Sequence, residues 1–188
     1  MRKSPIRYAL LLCGLVYSTA AICASELVQQ CVACHGEDGV SIVPSAPVIA
    51  GYSKQYIIDS MINYKLDERP SATMGLFAKN LKDDEIETIA EFFAMKTFVP
   101  RKQEFDAEKA KLGEKIHARH CYKCHEDGGS SPDDDAGILA GQWAPYLQLT
   151  FEQYQSGKRP MPENMKRKME KLSQADIKAL LDYYASLQ

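Results

Sequence analysis

The chain has 188 residues, 23 Lys+Arg against 25 Asp+Glu, and a formal net charge of −2 at pH 7. That length holds one large domain or two small ones, and a hydrophobic content of 45% supports a packed core rather than disorder. No basic excess marks a nucleic-acid surface, and no internal stretch offers the roughly 20 consecutive apolar residues of a membrane-spanning helix.

The first 24 residues stand apart. Arg2, Lys3 and Arg7 form a basic start, Tyr8 to Cys23 is apolar or small, and Thr19-Ala20-Ala21 and Ala24 offer small residues for cleavage. This predicts a secretory signal peptide over residues 1–24 and hence an exported, periplasmic protein. An uncleaved membrane anchor is the alternative. Of six cysteines, Cys13 and Cys23 fall in this leader, so the mature chain keeps four. The leader holds three bases and no acids, which leaves 20 Lys+Arg against 25 Asp+Glu, a net of −5. Residues 25–98 carry 11 acids and 6 bases, whereas residues 99–188 carry 14 of each. Such polarity is a means of orienting a partner, although a charged surface is most often only a solubilising one.

The four remaining cysteines lie in two copies of one motif, Cys31-Val32-Ala33-Cys34-His35 and Cys121-Tyr122-Lys123-Cys124-His125. C-x-x-C-H is the attachment signature of c-type haem. Two thiols add across the two vinyl groups of the macrocycle, and the adjacent histidine is delivered to one face of the iron. A zinc site is the competing reading of the same residues, and the lack of further Cys/His clusters argues against it.

The motifs belong to an internal repeat. At an offset of 90, Ala50-Gly51 falls on Ala140-Gly141, Tyr56 on Tyr146 and Arg69-Pro70 on Arg159-Pro160. One inserted residue then sets Met74 against Met165, Leu81 against Leu172 and Ile86 against Ile177. Two duplicated domains are predicted, over 25–98 and 99–188, with a Pro100-containing linker over about 97–106. Each copy reads as three helices around one haem. In the first copy, Glu26–Cys34 runs into the motif, Ser53 caps a helix over Lys54–Leu66, and Asp83/Asp84 cap a third. Ile86, Ile89, Ala90 and Phe93 give that third helix one apolar face. In the second copy, Lys109–Arg119 leads into Cys121, Pro145–Gln155 follows Gly141, and Ser173 with Asp176 forms a capping box. Ile177, Leu180, Leu181 and Tyr184 repeat the apolar face.

His35 and His125 are the expected proximal iron ligands. Opposite His35 the candidate is Met74, read as lying in a loop that bends over the haem, since Met61 is mid-helix and Met95 terminal. Opposite His125 stand Met161, Met165 and Met169. The spacing of seven shared by Met74–Leu81 and Met165–Leu172 selects Met165, with Met161 the runner-up and Met169 assigned to packing. A thioether is a soft donor that favours Fe(II) and raises the potential. Both irons are then six-coordinate, which suits single-electron transfer and disfavours an open-site haem enzyme such as a dihaem peroxidase. Pro47 is placed to offer a carbonyl to the ring of His35, with Gly137 as its counterpart for His125. His117 and His120 read as surface or rim positions. Trp143, Tyr56 and Tyr146 are candidates for packing on haem edges or in the core.

Cys31-x-x-Cys34-His35-Gly36-x-x-Gly39, followed by Pro44, Pro47 and Ala50-Gly51, resembles the cytochrome c4 group of class I dihaem cytochromes. Ile138 through Gln148, Arg159-Pro160-Met161 and the Tyr183–Ser186 ending are similar to the cytochrome subunits of flavocytochrome c sulfide dehydrogenases. Thr73-Met74-Gly75 and Lys102–Asp106 resemble the same subunits. The likeness spans essentially the whole mature chain. Glu126 after His125 departs from the glycine usual in c4 proteins, and Gly51-Tyr52 is closer to c4. The resemblance implies an all-α fold of two tandem class I cytochrome c domains, two covalent haem c groups, and His35/Met74 and His125/Met165 as axial pairs. It implies as partner an FAD-containing subunit that oxidises sulfide. A soluble c-type cytochrome or a terminal oxidase would be the acceptor. A free-standing c4-type shuttle is the other expectation.

Overall fold

A computed structural model describes residues 26–188. The predicted signal peptide lies outside those residues. The described residues form eight α-helices and no strand: α1 (26–35), α2 (Lys54–Lys65), α3 (Ala72–Asn80), α4 (Asp83–Ala94), α5 (Ala107–His120), α6 (Ala144–Gln155), α7 (Glu163–Met169) and α8 (Gln174–Ser186). A single 3₁₀ turn, Asp127–Gly129, follows the second motif.

Local chemistry sets most of these limits. Ser53 accepts from Tyr56 N–H and starts α2, and Asp106 accepts from Glu108 and Lys109 N–H and starts α5. Ser173 and Asp176 exchange bonds as a capping box at α8. Pro145 fits the first turn of α6, where its missing N–H is harmless. The expectation for the third helix of the first copy needs correcting. Lys82 is its N-cap, with Glu85 Oε2 accepting from Lys82 N–H at 2.8 Å. Asp83 lies inside the first turn and pairs with Lys65 at 2.9 Å.

Two helices, α3 and α7, were not expected. α3 places Met74 in its first turn, with Ser71 Oγ accepting from Met74 N–H at 3.1 Å, so Met74 is helical and not in a loop. Met165 occupies the first turn of α7. Seven- and nine-residue helices behind a proline carry too few periods for an apolar stripe to be recognised.

The repeat is visible in the backbone bonds. Gly39 O accepts from Ile49 and Ala50 N–H, and Gly129 O accepts from Leu139 and Ala140 N–H. Gly51 N–H donates to Phe93 O at 3.0 Å, and Gly141 N–H to Tyr184 O at 2.8 Å. One core gathers Val28, Ile57, Met61, Leu81, Ile86, Ile89 and Phe93. The other gathers Ile116, Tyr146, Leu147, Leu180 and Tyr184. α5 and α8 pack very closely at Gly113, where an added Cβ would stand 2.1 Å from Ala179 O. Residues 97–106 hold no helix and lie along the second half, with Arg101 N–H donating to Gly141 O and Gln103 Nε2 to Gln142 O, both at 2.8 Å.

The halves meet along a buried polar seam. Gln142, fully buried, accepts from Val48 N–H and donates to Val48 O and Tyr52 Oη, each at 2.9 Å. Tyr52 Oη donates to Ile138 O at 3.2 Å, and Arg69 donates to Tyr146 Oη at 2.8 Å and to Ser60 Oγ at 2.9 Å. Trp143 Nε1 donates to Ser41 O at 3.1 Å, so this indole spans the seam. Ile138, from the second half, is buried in the core of the first.

Candidate functional site: two haem-attachment motifs

In the first half, α1 continues through the motif, and one helical turn sets Cys31, Cys34 and His35 on a common wall. They line a cavity of about 630 Å³ together with Met74, Met61, Pro47, Tyr56, Arg69 and Tyr146. His35 is buried, with its Nδ1 2.9 Å from Pro47 O. That carbonyl fixes the ring orientation and leaves the other nitrogen free for a metal. Burial holds the imidazole below its ordinary pKa, against the opposing pull of the Pro47 bond, so it is neutral at pH 7. Burial, aided by Cys34, pushes the Cys31 thiol up to about 11. A thiol kept protonated is a poor ligand for a bare metal ion.

In the second half, α5 stops at His120 and the motif continues in turns, with Cys124 and His125 N–H both donating to Cys121 O. His125 is half-buried, and burial, with a smaller contribution from His117, lowers its pKa to about 4. Among the described residues no bond joins His125 to Gly137, the counterpart of Pro47. Gly137 has a different function: an added Cβ would lie 2.8 Å from Tyr56 Oη, so the glycine admits a tyrosine from the other half.

The rim expectation for His117 is also corrected. It is 3% exposed, with Nδ1 3.0 Å from Tyr184 Oη and its ring edge-on to Tyr184. Burial raises the Cys121 thiol, with Tyr184 and Lys168 pulling the other way. His120 is half-buried. Met165 and Met161 are half-buried and Met169 is buried, the last in keeping with a packing role. A second cavity of about 390 Å³ lies between α6 and α8, is lined by Phe151, Ile177 and Leu181, and contains none of Cys121, Cys124, His125 or Met165.

These residues fit haem. Among the described residues no three His, Cys, Asp or Glu side chains converge to hold a bare ion. The cavity wall offers two thiols, a neutral imidazole and two thioethers, those of Met61 and Met74. Arg69 Nε and Arg159 Nη1 are buried without a partner, and a propionate carboxylate is the kind of acceptor such N–H groups donate to. The two guanidiniums stack on Tyr64 and Tyr154 at 4.7 and 4.5 Å and are related by the repeat. Arg69 is the one unpredicted site residue of weight. Its only sequence signal was the repeated Arg-Pro pair. Burial opposes ionisation of Tyr146, but Arg69 and Arg159 outweigh it and hold the phenol below its usual range.

Two tandem all-α domains, each carrying one C-x-x-C-H site, define the class: a dihaem c-type cytochrome. The family described as cytochrome c oxidase, cbb3-type, subunit III matches residues 19–93 and 108–183. Cytochrome c4 of Stutzerimonas stutzeri is 30% identical over 182 residues, covering 85% of each chain. The crystal structure of reduced recombinant cytochrome c4 from Pseudomonas stutzeri superposes with a TM-score of 0.77 at 29% identity, covering 89% of this chain and 98% of that one. The cytochrome subunit of sulfide dehydrogenase from Chlorobaculum tepidum is 43% identical over 66 residues, covering 34% of this chain and 57% of that one. The chain belongs to this cytochrome family and, on its full-length similarity, to the cytochromes c4. It is an electron carrier with two tandem class I cytochrome c domains. Among the described residues no helix is long and apolar enough to cross a membrane.

Proposed function

We propose that this chain is a periplasmic two-centre carrier acting as the cytochrome subunit of a sulfide-oxidising flavocytochrome. It takes electrons one at a time from an FAD-containing subunit and delivers them to a soluble c-type cytochrome or a terminal oxidase. Cys31 and Cys34 would hold one haem, with His35 and Met74 offered to its iron. Cys121 and Cys124 would hold the other, with His125 and Met165 offered to its iron. Each bound haem would supply a one-electron Fe(III)/Fe(II) couple.

The protein's own contribution is positioning. Pro47 O orients His35, and the methionines offer soft donors. The observation that carries the carrier reading is the buried seam of Arg69, Tyr146, Gln142 and Tyr52, which locks the two attachment motifs into one orientation. Fixed spacing between two redox sites is what a two-step relay requires. The sulfide-dehydrogenase reading draws on the Ile138–Gln148 and Arg159–Met161 segments and on the local similarity to the Chlorobaculum tepidum subunit.

A second reading, a free c4-type shuttle, is favoured by the breadth of the cytochrome c4 match, 85% of the chain against 34%. Purification of the untagged protein from its own periplasm separates the two. Flavin co-eluting with haem at one to two, bleached by sulfide, supports the flavocytochrome. Haem eluting with no flavin in any fraction leaves the shuttle. Met74→Ala and Met165→Ala should each remove half of the weak long-wavelength band of methionine-ligated Fe(III). Loss on Met161→Ala instead would reassign the second ligand.

A further inference from the structure

Charge is distributed very unevenly around the two methionine helices. α3 carries one cation, Lys79, and Asp67 neutralises it at 2.6 Å. The counterpart α7 carries Lys166, Arg167 and Lys168 in its last turn, and Lys171 follows. All four are exposed, as is Arg119 at the end of α5, and none of the five is in an ion pair among the described residues. Lys168, Arg119 and Lys171 act on one point: after burial, they are what depresses His120. Lys168 also acts on Cys121, so the patch borders the second attachment motif, where Tyr122 and Cys124 are exposed. The acids nearest in sequence are Glu163 at the start of α7, Glu170 just after its end, and Asp176, which is engaged with Ser173. The half as a whole balances 14 acids with 14 bases, so this is segregation of charge and not excess. Residues 126–135 hold five of those acids and no base.

We propose that the face formed by the end of α5 and by α7 docks an acidic redox protein, and that electrons leave the second site there under electrostatic steering. The inference rests on the carrier reading. A relay between two partners works best when they do not compete for one surface. Here the repeat keeps the backbone and changes the charge beside each methionine, leaving an uncharged face with Leu76 and Phe77 exposed at one site and a cationic face at the other. Redox encounters bury little area and depend on charge complementarity for rate and orientation. One electron crosses per encounter: the second site loses it, the acceptor gains it, and no bond or proton moves.

The test uses the full, haem-loaded chain. The reduced protein is mixed with oxidised plastocyanin, an acidic one-electron acceptor, and separately with mitochondrial cytochrome c, a basic one, across a range of ionic strength. Binding of oxidised plastocyanin to the oxidised protein is measured in parallel, where no electron can move. The plastocyanin rate should fall at least about tenfold from low to high salt. Arg167→Glu/Lys168→Glu/Lys171→Glu should lower it by a similar factor at low salt, weaken the binding, and leave cytochrome c unslowed. The neutral Gln triple should fall between the two. A plastocyanin rate and affinity indifferent to salt and to both triples would overturn the inference. A protein that exchanges electrons with neither acceptor would overturn the carrier reading with it.

Discussion

The two halves share a backbone and differ in what fills it. Gly39 and Gly129 bind their following loops through the same pair of bonds, and Phe93 and Tyr184 offer equivalent carbonyls to Gly51 and Gly141. Phe93 closes an aliphatic core. Tyr184 at the same place ties its hydroxyl to His117. In the first half a helix carries the motif, and a proline carbonyl orients the histidine. In the second the helix ends early, the motif turns, and the position of that proline is a glycine cleared for Tyr56. A duplicated scaffold therefore keeps the bonds that hold an attachment motif in place and leaves the surroundings of each site free to diverge.

The largest expected break in this comparison is at the equivalent core positions. Phe93→Ala should cost about 3–5 kcal/mol, because a fully buried ring is lost from a core that cannot collapse. Tyr184→Phe keeps the ring and loses only its bonds, and should cost about 1–2 kcal/mol. Chemical denaturation followed by haem absorbance measures both; equal costs would mean that the two cores are filled alike. At the seam, Arg69→Leu leaves Tyr146 Oη without its donor and should cost about 1–3 kcal/mol. Arg159→Leu breaks no hydrogen bond among the described residues and should cost less. If the order is reversed, the seam is not anchored at Arg69. Smaller still, Lys79→Ala removes an exposed pair with Asp67 and should shift stability by less than about 0.5 kcal/mol.

The sequence by itself determined the two attachment motifs, the duplication and the amphipathic helices α4 and α8, because these depend on spacing within a short stretch of chain. It also carried Ser53, Ser173 and the Pro47 carbonyl, whose partners lie within a few to a dozen residues. α3 and α7 escaped it, since one or two turns show no period, and so the helical setting of Met74 was misread as a loop. The burial of His117 escaped it as well, because its partner Tyr184 is 67 residues away. The seam was the least legible element. Gln142 reaches Val48 across 94 residues and Arg69 reaches Tyr146 across 77. Such pairs are decided by how two finished halves dock, and a polar side chain on a loop looks the same in sequence whether it meets water or another domain.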